Sequence, residues 1–108
     1  MPLEQDGRTY GKRREIRHER ASAAVSRILR AAESNGVDIT VIGSLAKGDF
    51  RSHSDVDLLV RGAIDPKRRP LVERLVADCM RSSAIPYDLI FEGDLTEDQI
   101  HEFLHDIV

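Results

Sequence analysis

Apolar residues in this chain change their spacing several times, and each change predicts a new element. From about Lys12 to Ser34, the residues Ala21, Ala24, Val25, Ile28, Leu29 and Ala32 recur at helical intervals with arginines between them. That stripe predicts an amphipathic helix. Residues 1–11 carry no such stripe and read as a flexible N-terminal tail. Asn35-Gly36 tolerates the left-handed conformation that ends a helix. Val37–Ile42 is short and β-branched, which predicts a strand. Gly43-Ser44 breaks it, and residues 44–54 read as a short helical turn followed by a loop. Val56–Val60 predicts a second strand, closed by Gly62. A second helix is predicted from Pro66 to about Arg81, with Leu71, Leu75, Val76 and Cys79 on its buried face. Pro86–Phe91 predicts a third strand. Thr96 is placed to cap a last helix reaching His105 or beyond, with Glu97 and Asp98 in its first turn. The order predicts an α/β (α+β) fold, a small mixed β-sheet covered by helices.

Composition narrows the class. With 108 residues the chain fits one domain, placed at residues 12–108 behind the tail. At 41% hydrophobic and 32% charged residues it is expected to be globular rather than disordered. A net charge of −3 is too mild for general nucleic-acid binding, so no direct nucleic-acid contact is expected. The single cysteine, Cys79, excludes an internal disulfide and a CxxC metal site. No apolar run approaches the roughly 20 residues of a membrane span, and the N-terminal segment lacks the apolar stretch of a secretory signal. A cytoplasmic protein is expected. The charge is uneven: basic residues crowd between Arg8 and Arg30, and after Arg81 there are only acids, from Asp88 to Asp106. Either the two ends are solvated helix faces, or one of them docks on an oppositely charged protein.

The candidate chemistry lies in the middle of the chain. Asp55 and Asp57 are separated by one residue on a predicted strand, so both point to one face. Adjacent carboxylates repel, and a divalent cation with a preference for oxygen ligands, Mg²⁺ or Mn²⁺, holds both ionised. Asp88 lies on the next predicted strand. Three such acids suit a two-metal site for phosphoryl or nucleotidyl transfer. Upstream, Gly43-Ser44 follows a strand and opens a helical turn, offering N–H groups and a hydroxyl to a phosphate, and glycine permits close approach. Lys47, Arg51 and Ser54 add cationic and hydroxyl groups.

Taken together, the segment from Gly43 to Val60 resembles the signature of the polymerase-β-like nucleotidyltransferase superfamily: Gly-Ser, ten residues, then Asp55-Val56-Asp57, with Asp88 where the third acid belongs. The resemblance covers roughly residues 37–92. Lys47 stands where many relatives carry Arg, and the N-terminal helix is not part of the signature. The length is similar to that of minimal nucleotidyltransferases, which act as antitoxins paired with HEPN-domain ribonuclease toxins.

The resemblance implies that the β- and γ-phosphates of ATP bind on Gly43-Ser44. It also implies that Asp55, Asp57 and Asp88 hold two Mg²⁺ ions, that Asp88 helps deprotonate the attacking hydroxyl, and that AMP is transferred. The implied acceptor is a tyrosine of the toxin. Alternatives are a non-catalytic antitoxin that occludes its toxin, and a small-molecule adenylyltransferase of the aminoglycoside type, whose usual extra helical domain is missing. His101-Glu102-Phe103-Leu104-His105 matches the zinc-protease pattern, but it borders an apolar stripe of Ile100, Phe103, Leu104 and Ile107 and lacks a downstream third ligand. It reads as surface histidines.

Overall fold

The computed structural model describes residues 2–51 and 53–105, with side chains from Glu15 onward except those of Ser52, Phe103 and residues beyond Leu104. Helix α1 spans Pro2–Ser34, so it begins ten residues before the boundary set by the apolar stripe. Pro2 suits a first helical turn, and Glu4, Gln5, Lys12, Arg13 and Arg14 lose little rotamer freedom in a helix. Helix propensity thus continues where the stripe stops, and the tail expected at 1–11 is helical from Pro2. At the other end, the Gly36 N–H donates to the Glu33 carbonyl and the Val37 N–H to the Ala32 carbonyl, with Gly36 at φ 67°. These two bonds are the Schellman closure that the Asn-Gly pair predicts.

Strand β1 is Ile39–Ile42, two residues shorter at its start than expected. Helix α2 (Gly43–Lys47) follows directly and is ended by Gly48 in the left-handed conformation. Strand β2 is Val56–Val60, helix α3 is Arg69–Arg81, strand β3 is Tyr87–Phe91, and helix α4 is Glu97–His105. Residues 66–68, expected to be helical, instead form a turn in which the Asp65 carboxylate accepts the Lys67 N–H. A 3₁₀ turn, Glu92–Asp94, links β3 to α4. Helix α4 starts as the sequence predicts. The Thr96 hydroxyl accepts the Gln99 N–H, and the Gln99 side chain accepts the Thr96 N–H, forming a capping box.

The sheet has the order β1-β2-β3. β1 pairs antiparallel with β2, and β2 pairs parallel with β3. The central strand is the most buried: Val56, Leu58, Leu59 and Val60 are fully enclosed. Val56, Leu58 and Val60 share the face that meets α1 and α3. There they join Ala24, Ile28 and Ala32 of α1 and Val72, Val76 and Met80 of α3 in one core. Each fully buried aliphatic side chain of this kind contributes about 1.5–3 kcal/mol.

The buried stripe of α3 is Val72-Val76-Met80: of the predicted Leu71, Leu75, Val76 and Cys79, Val76 is buried, and the other three lie one position before the stripe. Leu71 is exposed, while Leu75 and Cys79 flank the core. Apolar doublets at 71–72, 75–76 and 79–80 allow two phases, and packing against α1 selects one of them. Leu29, expected in the α1 stripe, is exposed at its edge. The α1–α3 contact is tied by Arg27, which donates to the Ser82 hydroxyl at 2.9 Å. It is tied again by Arg68, which donates to the Asn35 carbonyl.

The candidate active site

Position 57 interrupts an otherwise apolar central strand. Alternation turns Asp57 away from the helix-covered face, and it lies second in β2, beside the strand's entry. The register sets it opposite Ile42 of β1 and opposite Asp88 of β3. Parallel pairing of β2 with β3 therefore aligns two acids that are 31 positions apart in sequence. Asp57 is half-buried, whereas Asp88 and Asp55 are exposed. Asp55 stands immediately before β2 rather than inside it, one step earlier than the expected strand pairing of the two acids.

The carboxyl of Asp57 holds its proton more tightly than an ordinary aspartate. Partial burial is the largest cause, followed by the charge of Asp88, then that of Asp55, and last a side-chain hydrogen bond with Asp88. Ion pairs elsewhere in the fold join Arg51 with Asp49, Arg61 with Glu92, Arg69 with Asp94 and Arg81 with Asp78.

Gly43 packs directly against this acid. Its φ is 74°, and a Cβ placed on it would collide with Oδ2 of Asp57 and lie 3.2 Å from Cγ. The glycine is needed for its left-handed backbone and for the space that Asp57 fills. The close approach of Asp57 is thus a second reason for glycine here, beside the phosphate contact expected from the sequence. Ser44, half-buried, accepts the Asp49 N–H through its carbonyl at 2.8 Å, closing the turn after α2.

The other candidates sit on the connection from α2 to β2. Lys47 is exposed at the end of α2. The Arg51 side chain is paired with Asp49 at 3.5 Å across an exposed surface. Ser54 uses its hydroxyl to accept the Arg51 N–H at 2.9 Å, so its first role is to close the loop. The structure thus brings Gly43, Asp57 and Asp88 together with Asp55 beside them, and leaves Lys47, Arg51 and Ser54 on the connection from α2 to β2.

A resident divalent cation was tested against these residues. Among the described residues, no group of three or more His, Cys, Asp or Glu side chains stands ready to cage a metal ion unaided. The donors nevertheless fit a hard cation. They are all carboxylate oxygens, and although burial is the main cause of Asp57's raised proton affinity, the charges of Asp88 and Asp55 add to it, and those a cation would neutralise. His101 of the zinc-like pattern is exposed, and the His105 side chain lies outside the described residues.

A shallow cavity of about 290 Å³ opens at the opposite end of the sheet, lined by Gly62, Ile64, Arg69, Phe91 and Asp94 among others. The carboxylate there is already paired with Arg69. Sequence reasoning missed Arg17 of α1, which donates from Nη2 to the Ser54 carbonyl at 3.0 Å. A contact spanning 37 positions leaves no local signal.

A small mixed sheet with a Gly-Ser turn against an acid on its central strand, and a second acid on the neighbouring parallel strand, defines the nucleotidyl-transfer class of α+β protein. The sequence model of the family described as "Nucleotidyltransferase domain" matches residues 23–107, and the chain belongs to that family. It is a transferase of nucleotidyl groups. No curated protein matches the chain. No helix among the described residues is long and apolar enough to cross a membrane.

Proposed function

We infer that this chain is a metal-dependent nucleotidyltransferase that moves AMP from ATP to a hydroxyl, and that its acceptor is a tyrosine of a HEPN-domain toxin, making the chain an antitoxin. The observation that carries the chemistry is the side-by-side placement of Asp57 and Asp88 against Gly43. Asp55, Asp57 and Asp88 would hold two divalent ions, with Mg²⁺ best suited to an all-oxygen donor set. When bound, such ions neutralise phosphate charge and lower the pKa of a coordinated hydroxyl.

The chain's own groups do the rest. Gly43-Ser44 receives the β- and γ-phosphates. The exposed Arg51–Asp49 pair is worth about 0–1 kcal/mol, so a phosphate can compete for Arg51. Lys47 and Ser54 stand on the same connection from α2 to β2. The acceptor oxygen attacks the α-phosphorus and its proton passes to Asp88. The bond from that phosphorus to the bridging oxygen breaks, and pyrophosphate leaves with the electron pair.

Support for a protein acceptor is electrostatic. Glu97, Asp98 and Glu102 are exposed on α4, and no Lys or Arg follows Arg81. Such a face suits a basic partner surface. The test is to co-express wild type or Asp57→Asn with the toxin and weigh the toxin by mass spectrometry. Addition of AMP by wild type alone, with growth rescue lost in the variant, supports the reading. Growth rescue by a folded Asp57→Asn chain without any mass gain would show neutralisation by occlusion.

A further inference from the structure

We propose that Arg17, on the part of α1 that precedes the family match, is a positioning residue for Asp55. The match begins at residue 23, and Arg17 lies upstream of it. Its Nη2 donates to the carbonyl of Ser54, the residue immediately before Asp55. On the other side of Asp55, the Val56 N–H donates to the Pro86 carbonyl at 3.0 Å, which starts the β2–β3 ladder. Asp55 is therefore flanked by two backbone anchors, one from the sheet and one from α1.

The Arg17 guanidinium also lies 6.0 Å from the ring centroid of Phe50, and His18 meets the same ring edge-on at 6.4 Å. Phe50 is 2% exposed, so the start of the connection is pinned in the core beneath these two α1 side chains. Between Phe50 and Asp55, Arg51 and Ser54 bind each other: the Arg51 N–H donates to the Ser54 hydroxyl, and the Ser54 N–H to the Arg51 carbonyl at 3.1 Å. Ser54, so tied to Arg51, has its own carbonyl held by Arg17. Nε of Arg17 is buried with no hydrogen-bond partner among the described residues. The guanidinium has thus given up water to stand where it does, which marks a fixed side chain rather than a mobile surface arginine. Fixing Ser54 fixes the direction in which the chain enters β2, and so where the Asp55 carboxylate stands relative to Asp57.

The proposal rests on reading the acids as a cation site, and its test separates the two ideas. Wild type, Arg17→Ala and Arg17→Lys are compared by Mn²⁺ titration in paramagnetic resonance and by hydrogen exchange of the amides of residues 53–56. Loss of a supporting partner is expected to weaken Mn²⁺ binding about tenfold in Arg17→Ala. Amide exchange at Asp55 should rise, and Arg17→Lys, which can still donate to the Ser54 carbonyl, should recover most of both. Arg17→Gln, which keeps part of the stem over Phe50, supplies the same readouts should the alanine variant unfold. Wild-type Mn²⁺ affinity together with unchanged exchange in a folded Arg17 variant would overturn the proposal. If wild type itself binds no Mn²⁺, the cation reading falls, and unchanged exchange in the variants would then overturn the anchoring as well.

Discussion

The two ends of the parallel β2–β3 pair treat their acids in opposite ways. At the end where the strands begin, Asp57 faces Asp88 and feels Asp55, and its proton affinity is raised. At the end where they finish, Glu92 accepts the Gly62 N–H at 2.5 Å and Arg61 Nε at 3.1 Å. Its carboxyl is held below the usual range, first by the Gly62 N–H and then by Arg61. Beside it, Arg69 pairs with Asp94 and lies 4.1 Å from the centroid of Phe91. The finishing end neutralises its own charge and joins strands to helices. The starting end instead sets acids against one another, and Asp57 holds its proton more tightly for it. Carboxylates alone do not mark a site; carboxylates that the fold aligns so that they raise one another's proton affinity do.

The largest way to break this contrast is Asp57→Asn. Nucleotidyl transfer should fall by at least about 10²–10³-fold, because charge stabilisation in the transition state is lost. The apo fold should not weaken at neutral pH. A carboxyl whose folded pKa is raised favours the protonated state, so its contribution to stability is present in acid and is lost as pH rises through the folded value. Asn keeps the neutral form at every pH. A urea titration at pH 7 in a chelator, with wild type beside the variant, checks this; marked destabilisation of the variant would show that Asp57 serves the fold.

Gly43→Ala comes next. A left-handed backbone costs a non-glycine residue about 1–2 kcal/mol, and the added carbon displaces the Asp57 carboxyl. Denaturation should register the first effect, and loss of transfer activity the second. Gly36→Ala makes the control: it shares the positive φ but has no atom within 4 Å of the added carbon. It should lose stability and keep activity.

The smallest effect belongs to the finishing end. Glu92→Gln should lower stability at neutral pH and leave transfer unchanged. The folded pKa of Glu92 is depressed, so its contribution is present above the unfolded value and is lost as pH falls through the folded one. The difference between variant and wild type should therefore shrink in acid, opposite in sign to Asp57. Melting temperatures across a pH series would show it; a deficit that persists at low pH would point to packing instead.

Much of this was legible in local sequence. Val56–Val60 reads as a strand because an aliphatic run sits between polar boundaries, and Thr96 reads as a cap because Gln99 follows three residues later. The acids were found through their spacing from Gly43-Ser44. What escaped was non-local or ambiguous in phase. Strand direction, parallel for β2–β3 and antiparallel for β1–β2, is set by how the connections return the chain, although Asp88 was expected beside the other acids. The α3 stripe could take either of two phases. That Asp57 packs against Gly43 escaped as well, because no sequence pattern shows which atom approaches a glycine. The Arg17–Ser54 contact leaves no trace until α1 is laid over the loop.

The central claim is that the starting end of the sheet is a cation site and the finishing end is not. It is tested most directly by titrating Mn²⁺ into wild type, Asp57→Asn and Glu92→Gln at neutral pH and following free Mn²⁺ by paramagnetic resonance. Wild type and Glu92→Gln should deplete free Mn²⁺ alike, and Asp57→Asn should leave it free at the same concentrations. Equal binding by all three, or none by wild type, would contradict the account.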